Sequence, residues 1–164
     1  MQIPSMETLD LQGKRTMIRL DLNVPIKDGI VTSDARIMAS LPTIEMAIDK
    51  GAKVILLSHL GRPDPDDLDG SFSLEPVARR LQEILGKNVL FQPTWLEGIN
   101  DQPNDIILCE NVRYEAGEKK NDECLSQKIA NLCDVYVMDA FGASHRKHSS
   151  TYGCLLYTSP SPRD

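Results

Sequence analysis

Residues 16–25 read TMIRLDLNVP, a short β-type run that breaks off at an acid, an amide and a proline. Along it Met17, Arg19, Asp21 and Asn23 alternate with Thr16, Ile18, Leu20 and Leu22, so a strand places the two sets on opposite faces of a sheet. Pro25 ends the ladder because it has no N–H to donate. Three further hydrophobic runs end in the same way: VILLS (54–58) runs into HLGRP, DIILC (105–109) into ENVRY, and VYVMD (135–139) into AFGASHR. Ligands of open parallel α/β sheets bind beyond the carboxyl ends of the strands. Polar residues gather at those ends here, which points to one site assembled from several strands.

Working outward, the first strand is expected over 15–22, after a lead-in at 6–13. Asp28-Gly29 then marks a small hairpin-like turn. Ser33 offers an N-cap for a helix from Asp34 to Lys50, whose apolar positions Ile37, Leu41, Ile44, Ala47 and Ile48 recur at helical spacing. Pro42 is expected to kink or divide that helix near Ser40, and Gly51 to stop it. The run 53–58 is continuously apolar, the pattern of a parallel strand buried on both faces. An acidic, proline-rich loop (63–70) leads to an amphipathic helix over 74–85, stopped by Gly86. Strands are expected at 89–91, 106–109 and 135–138, with a loop and one helical piece near Trp95 between the first two and a helix at about 122–132 before the last. Strands alternating with helices in this way mean βαβ units: an α/β, Rossmann-like three-layer sandwich, a parallel sheet with helices on both faces.

The chain of 164 residues is long enough to bury a core, and its length favours one domain. A formal net charge of -6 and a pI near 5.1 argue against nucleic acid or an anionic membrane as the main partner. No apolar run approaches the roughly 20 residues of a membrane span, and the N-terminus lacks the pattern of a signal peptide, so a cytoplasmic protein is expected. The four cysteines, Cys109, Cys124, Cys133 and Cys154, form no C-x-x-C pair and have no histidine at metal-ligand spacing. The first three are expected to be small buried or half-buried hydrophobes in a reduced compartment.

Neither G-x-G-x-x-G nor G-x-x-x-x-G-K-[ST] occurs, so both common phosphate-cradling loops are missing. What stands out is a set of arginines at strand and helix ends: Arg36, Arg62, Arg113 and Arg146. Any one of them alone reads as an ordinary surface residue. Together they read as a clamp for a small polyanion, because guanidinium forks match carboxylate and phosphate oxygens and stay charged. Beside them His59 serves as a hydrogen-bonded structural residue or as a ligand contact; Asp21 and Asn23 act as turn formers or as partners of a substrate hydroxyl and carboxylate. Arg19, inside the strand, calls for a partner, whether as a structural salt bridge or in support of the site.

RLDLNVP (19–25), SDARIMASLPTI (33–44), SHLGRP (58–63), ENVRYEAGEKK (110–120) and DAFGASHRKHSS (139–150) follow one another in the order and at the intervals of a known family. Over about 6–153 the chain resembles the amino-terminal domain of phosphoglycerate kinase, in its bacterial form. The resemblance implies reversible phosphoryl transfer between ATP and 3-phosphoglycerate in glycolysis, by a cytoplasmic monomer. It assigns Asp21 and Asn23 to the carboxyl and hydroxyl end of the substrate, and Arg62, Arg113 and Arg146, with His59 beside them, to its phosphate. Arg36 would face the phosphoryl group in flight, with Arg19 and His145 in supporting positions. The ATP and Mg2+ site belongs to a carboxyl-terminal domain whose glycine-rich motifs are not present here, so this piece is expected to hold no cofactor or metal and to be inactive alone.

The family usually has Thr-Ala where this chain has Ala143-Ser144, and a small residue in place of Lys147, which bears on the geometry of that loop. The regular pattern ceases after Gly153. The tail 154–164, CLLYTSPSPRD, reads either as a disordered Ser/Pro-rich terminus or, preferred here, as a non-native segment resembling translated sequencing-adapter DNA that replaces the last strand of the domain. Two rival functions are a non-catalytic small-anion-binding module using the same arginines, and an unrelated nucleotide-binding domain. The missing phosphate loops disfavour the second.

Overall fold

The alternating run at the start of the chain and the apolar runs after it form the sheet. The computed structural model describes residues 10–61, 72–96, 98–99, 106–112 and 123–139. Their elements are β1 (Arg15–Leu20), β2 (Ile26–Lys27), β3 (Ile30–Val31), α1 (Ala35–Asp49), β4 (Lys53–Leu57), α2 (Glu75–Leu85), β5 (Val89–Gln92), β6 (Ile106–Cys109), α3 (Glu123–Ala130) and β7 (Val135–Asp139). Five strands pair in the order β5-β6-β4-β1-β7, and every pairing is parallel. β1 is therefore an interior strand, with Ile18 opposite Leu56 on one side and Val137 on the other.

Strand order dictates the layers. β1 to β4 and β4 to β5 step in one direction across the sheet, whereas β6 to β7 steps back past β4 and β1. Right-handed crossovers then put α1 and α2 on one face and α3 on the other. The two cores agree. One gathers Ile18, Leu20 and Leu56 with Ile37, Ile44 and Ala47 of α1 and Val77, Ala78 and Leu81 of α2. The other gathers Met17, Ile55, Leu57, Ile107 and Tyr136 with Trp95 and with Ile129 of α3. Each fully buried Leu or Ile contributes about 1.5–3 kcal/mol of transfer free energy, so both faces of the sheet are held mainly by apolar burial.

Several local expectations hold in detail. Asp28 (φ 53°) and Gly29 (φ 76°) are the two left-handed residues of a tight turn joining antiparallel β2 and β3. Gly51 (φ 76°) ends α1: its N–H bonds to the Ile48 carbonyl at 2.9 Å, and the Ala52 N–H to the Ala47 carbonyl at 3.1 Å. Those two bonds satisfy carbonyls that the helix end would orphan. Cys109 and Cys133 are free and buried; burial raises both thiol pKa values, that of Cys133 to about 12. Neither supplies a thiolate at neutral pH.

Three expectations need correction. Strand β1 stops at Leu20 rather than Leu22, because the Leu22 N–H turns to the Ser58 hydroxyl at 2.9 Å instead of a strand neighbour. Helix α1 begins at Ala35, with Asp34 as its cap residue; Ser33 Oγ accepts only the Ala35 N–H, and the Asp34 carboxylate is taken by Arg80 of α2. The Arg80 guanidinium holds the Asp34 carboxyl below the usual carboxylate range. Pro42 does not divide α1, which runs unbroken through it. Pro42 and Met38 both lie on the exposed side, where water can meet the Met38 carbonyl that the proline cannot.

A second ion pair closes the far end of the sheet. The Arg15 guanidinium lies 3.2 Å from Asp134, whose carboxyl also accepts the Arg15 N–H at 2.9 Å. Those hydrogen bonds hold the Asp134 pKa below its ordinary value, so the contribution of the pair is present above about pH 4 and lost as pH falls through the folded value. No described helix is long and apolar enough to cross a membrane.

Candidate functional site

Three adjacent strands, β6, β4 and β1, deliver polar residues at their carboxyl ends: Glu110 and Asn111, Ser58 and His59, Asp21 and Asn23. Beyond β1 and β4 the chain is held by hydrogen bonds between the two turns. Ser58 is fully buried; its hydroxyl accepts the Leu22 N–H and donates to the His59 carbonyl at 3.0 Å, while its own carbonyl accepts the Val112 N–H at 3.2 Å. Asn23 Oδ1 accepts the Gly61 N–H at 3.0 Å, and Asp21 Oδ1 accepts the Asn23 N–H at 3.2 Å. The turn after β1 is thereby stitched to the turn after β4.

Gly61 has φ 59°, and a Cβ there would meet the Phe72 ring at 2.4 Å, so the backbone approaches that ring as only a glycine allows. Asn23, Leu60, Gly61 and Phe72 help to line a small open cavity of about 180 Å³.

Arg19 and His59 form the buried polar centre. Arg19 is fully buried, His59 nearly so; Arg19 Nη2 lies 3.0 Å from His59 Nδ1, and Nη1 donates to the Leu20 carbonyl at 2.7 Å. The face of β1 that alternation marks as polar is thus not a solvent face. It is covered by the second core, and the arginine it carries is met by imidazole and carbonyl, as a buried cation requires. Arg36, in the first turn of α1, reaches back to Asp21 with 3.0 Å between Nη1 and Oδ1. The two side chains are 51% and 33% exposed, so solvent screens the pair and it is weak.

Five expected site residues therefore converge: Arg19, Asp21, Asn23, Arg36 and His59. Arg62, Arg113, Arg146 and His145, and with them the 143–147 loop, lie outside the described residues.

Three participants were missed by sequence reasoning. Besides Ser58, Glu110 accepts from the Ser73 hydroxyl at 2.7 Å, the Leu74 N–H at 2.9 Å and the Asn111 N–H at 2.8 Å, capping the start of α2. Asn111, fully buried, donates to the Leu60 carbonyl at 2.7 Å and the Phe72 carbonyl at 3.0 Å, pinning both flanks of segment 61–71. The signal was a polar residue directly following a fully buried strand, where burial forces it to find partners. Truncating Asn111 to Ala strands two carbonyls, and we expect it to lower unfolding free energy by about 1–3 kcal/mol in urea titrations.

Comparison with known proteins shows the family and the fold. A family model described as phosphoglycerate kinase matches residues 6–161, a range that includes most of the tail. A phosphoglycerate kinase of Legionella pneumophila (strain Paris) is 55% identical over 157 residues, covering 96% of this chain and 40% of that protein. The structure of phosphoglycerate kinase from Coxiella burnetii superposes with a TM-score of 0.90 at 48% identity, over 96% of this chain and 40% of that one. For the enzyme from Pyrococcus horikoshii OT3 the TM-score is 0.78 and the identity 31%, over 93% and 40%. The chain spans 40% of the length of these relatives.

Proposed function

The chain belongs to the phosphoglycerate kinase family, and from that premise we propose that it carries the 3-phosphoglycerate half-site of a cytoplasmic, monomeric glycolytic kinase. The observation that carries this reading is the convergence of Asp21, Asn23, His59 and Arg36 at the carboxyl ends of neighbouring parallel strands. Asp21 and Asn23 meet the carboxyl and hydroxyl end of the substrate. Arg62, Arg113 and Arg146 neutralise its phosphate, with His59 beside them and His145 in support.

The chemistry suits this inventory. A substrate carboxylate is ionised at neutral pH and attacks phosphorus without a general base. Catalysis then rests on positioning and on charge stabilisation, the role assigned to Arg36. A nucleotide and its Mg2+ are not assigned to the described residues. The sequence has no phosphate-cradling loop, and among the described residues no group of three or more His, Cys, Asp or Glu could hold a metal. By family resemblance, ATP or ADP with Mg2+ is assigned to a carboxyl-terminal domain of the complete enzyme.

Calorimetric titration of the chain with 3-phosphoglycerate, and separately with Mg·ATP, tests the assignment. Weak saturable binding of the first, reduced by Arg62→Ala or Arg146→Ala, is expected. Micromolar binding of Mg·ATP would reverse the reading.

A further inference from the structure

The Arg19–His59 contact fixes a proton. A guanidinium has five N–H donors, no acceptor, and does not deprotonate in a protein, so at 3.0 Å its Nη2 can only donate to His59 Nδ1. The Nδ1 lone pair must then be free of hydrogen, which puts the ring proton on Nε2. Both partners are held. Arg19 sits in an interior strand with its second nitrogen anchored on the Leu20 carbonyl, and His59 has its backbone carbonyl tied by the Ser58 hydroxyl. The neighbouring strands β1 and β4 keep the two residues in register, since Arg19 pairs with Leu57, two residues before His59.

We propose that Arg19 is a positioning residue that locks His59 in its neutral Nε2–H tautomer, so that the imidazole meets an anionic ligand as a fixed N–H donor and not as a mobile imidazolium. The identity of that anion as 3-phosphoglycerate rests on the function proposed above; the tautomer does not. A neutral donor of fixed direction recognises an oxygen by position, and leaves the long-range attraction to the arginines. An imidazolium would need an N–H at Nδ1 pointing into the N–H of Arg19, an arrangement the buried pair cannot accommodate.

The test is a long-range 15N–1H correlation spectrum of the full-length protein that carries this sequence, labelled at histidine. His59 is separated from His145 and His148 by the loss of its signals in His59→Asn. In the wild type, Nδ1 is expected to show an unprotonated resonance and Nε2 a protonated one. Arg19→Met, which keeps the bulk and removes the donor, is expected to give a tautomer mixture and about tenfold weaker 3-phosphoglycerate binding, with Arg19→Lys intermediate. A proton on Nδ1 in the wild type overturns the proposal without any variant, as does an unchanged tautomer in Arg19→Met. An Nε2–H tautomer whose resonance ignores saturating 3-phosphoglycerate would instead leave the positioning role standing and remove the substrate assignment.

Discussion

In the full-length enzyme, Arg36→Ala is expected to lower kcat by roughly a hundredfold or more while changing the KM for 3-phosphoglycerate little, as removal of a charge-stabilising donor does elsewhere. Steady-state kinetics in both substrates measure it. The split follows from where the residue sits. Arg36 is half exposed and its ion pair with Asp21 is a surface contact, so deleting it costs under about 1 kcal/mol of stability and leaves the fold to speak through kinetics alone. An arginine that exchanges its resting carboxylate for charge developing in flight acts on the chemical step, and its loss appears in kcat. Arg62→Ala and Arg146→Ala serve as the contrast, because groups that grip the phosphate equally in the ground and transition states should raise KM. A kcat for Arg36→Ala within about threefold of wild type, under ~1 kcal/mol of barrier, would sink the role assigned to it.

How far the sequence carries depends on what the residues must satisfy. β4, β6 and β7 were legible because a strand covered on both faces needs no polar partner and shows as an unbroken apolar run. The hairpin and the end of α1 were legible because left-handed backbone selects Asp-Gly and Gly. The start of α1 was not, since the cap position falls on Asp34 rather than Ser33 and the Asp34 carboxylate is held by a distant residue, Arg80. Nor was its continuity: the proline cost depends on whether the orphaned carbonyl faces water, which periodicity alone does not state. At the site, the residue types at the strand ends were visible, but Ser58, Glu110 and Asn111 passed unnoticed. Each makes a hydrogen bond to a backbone group 36 to 51 residues away. Such partners are set by strand order, and strand order is what a single sequence leaves open.

The chain of 164 residues, assayed alone, is expected to give no kinase turnover and at best weak capture of 3-phosphoglycerate. Arg19, Asp21, Asn23, Arg36 and His59 lie on or beside β1, α1 and β4 of this chain, and guanidinium groups can attract a small polyanion from solution. Transfer needs more, because the phosphoryl donor must be held in line with the bound carboxylate in a site closed to water. The chain spans 40% of its relatives, and its sequence has neither common phosphate-cradling loop to hold that donor. Stability is expected to be marginal too. Among the described residues β7 pairs with β1, and an edge strand, where left uncovered, is a template for other chains. We further propose that 154–164 is a non-native tail; with two prolines and no strand period its sequence is poorly suited to a strand. Residues 1–153 and 1–164 should therefore unfold at the same temperature, aggregate alike, and show equal binding by calorimetry and equal absence of turnover in a coupled assay. Turnover above the no-enzyme background would defeat the two-domain requirement, and a large loss of stability on removing the tail would show that it belongs to the fold.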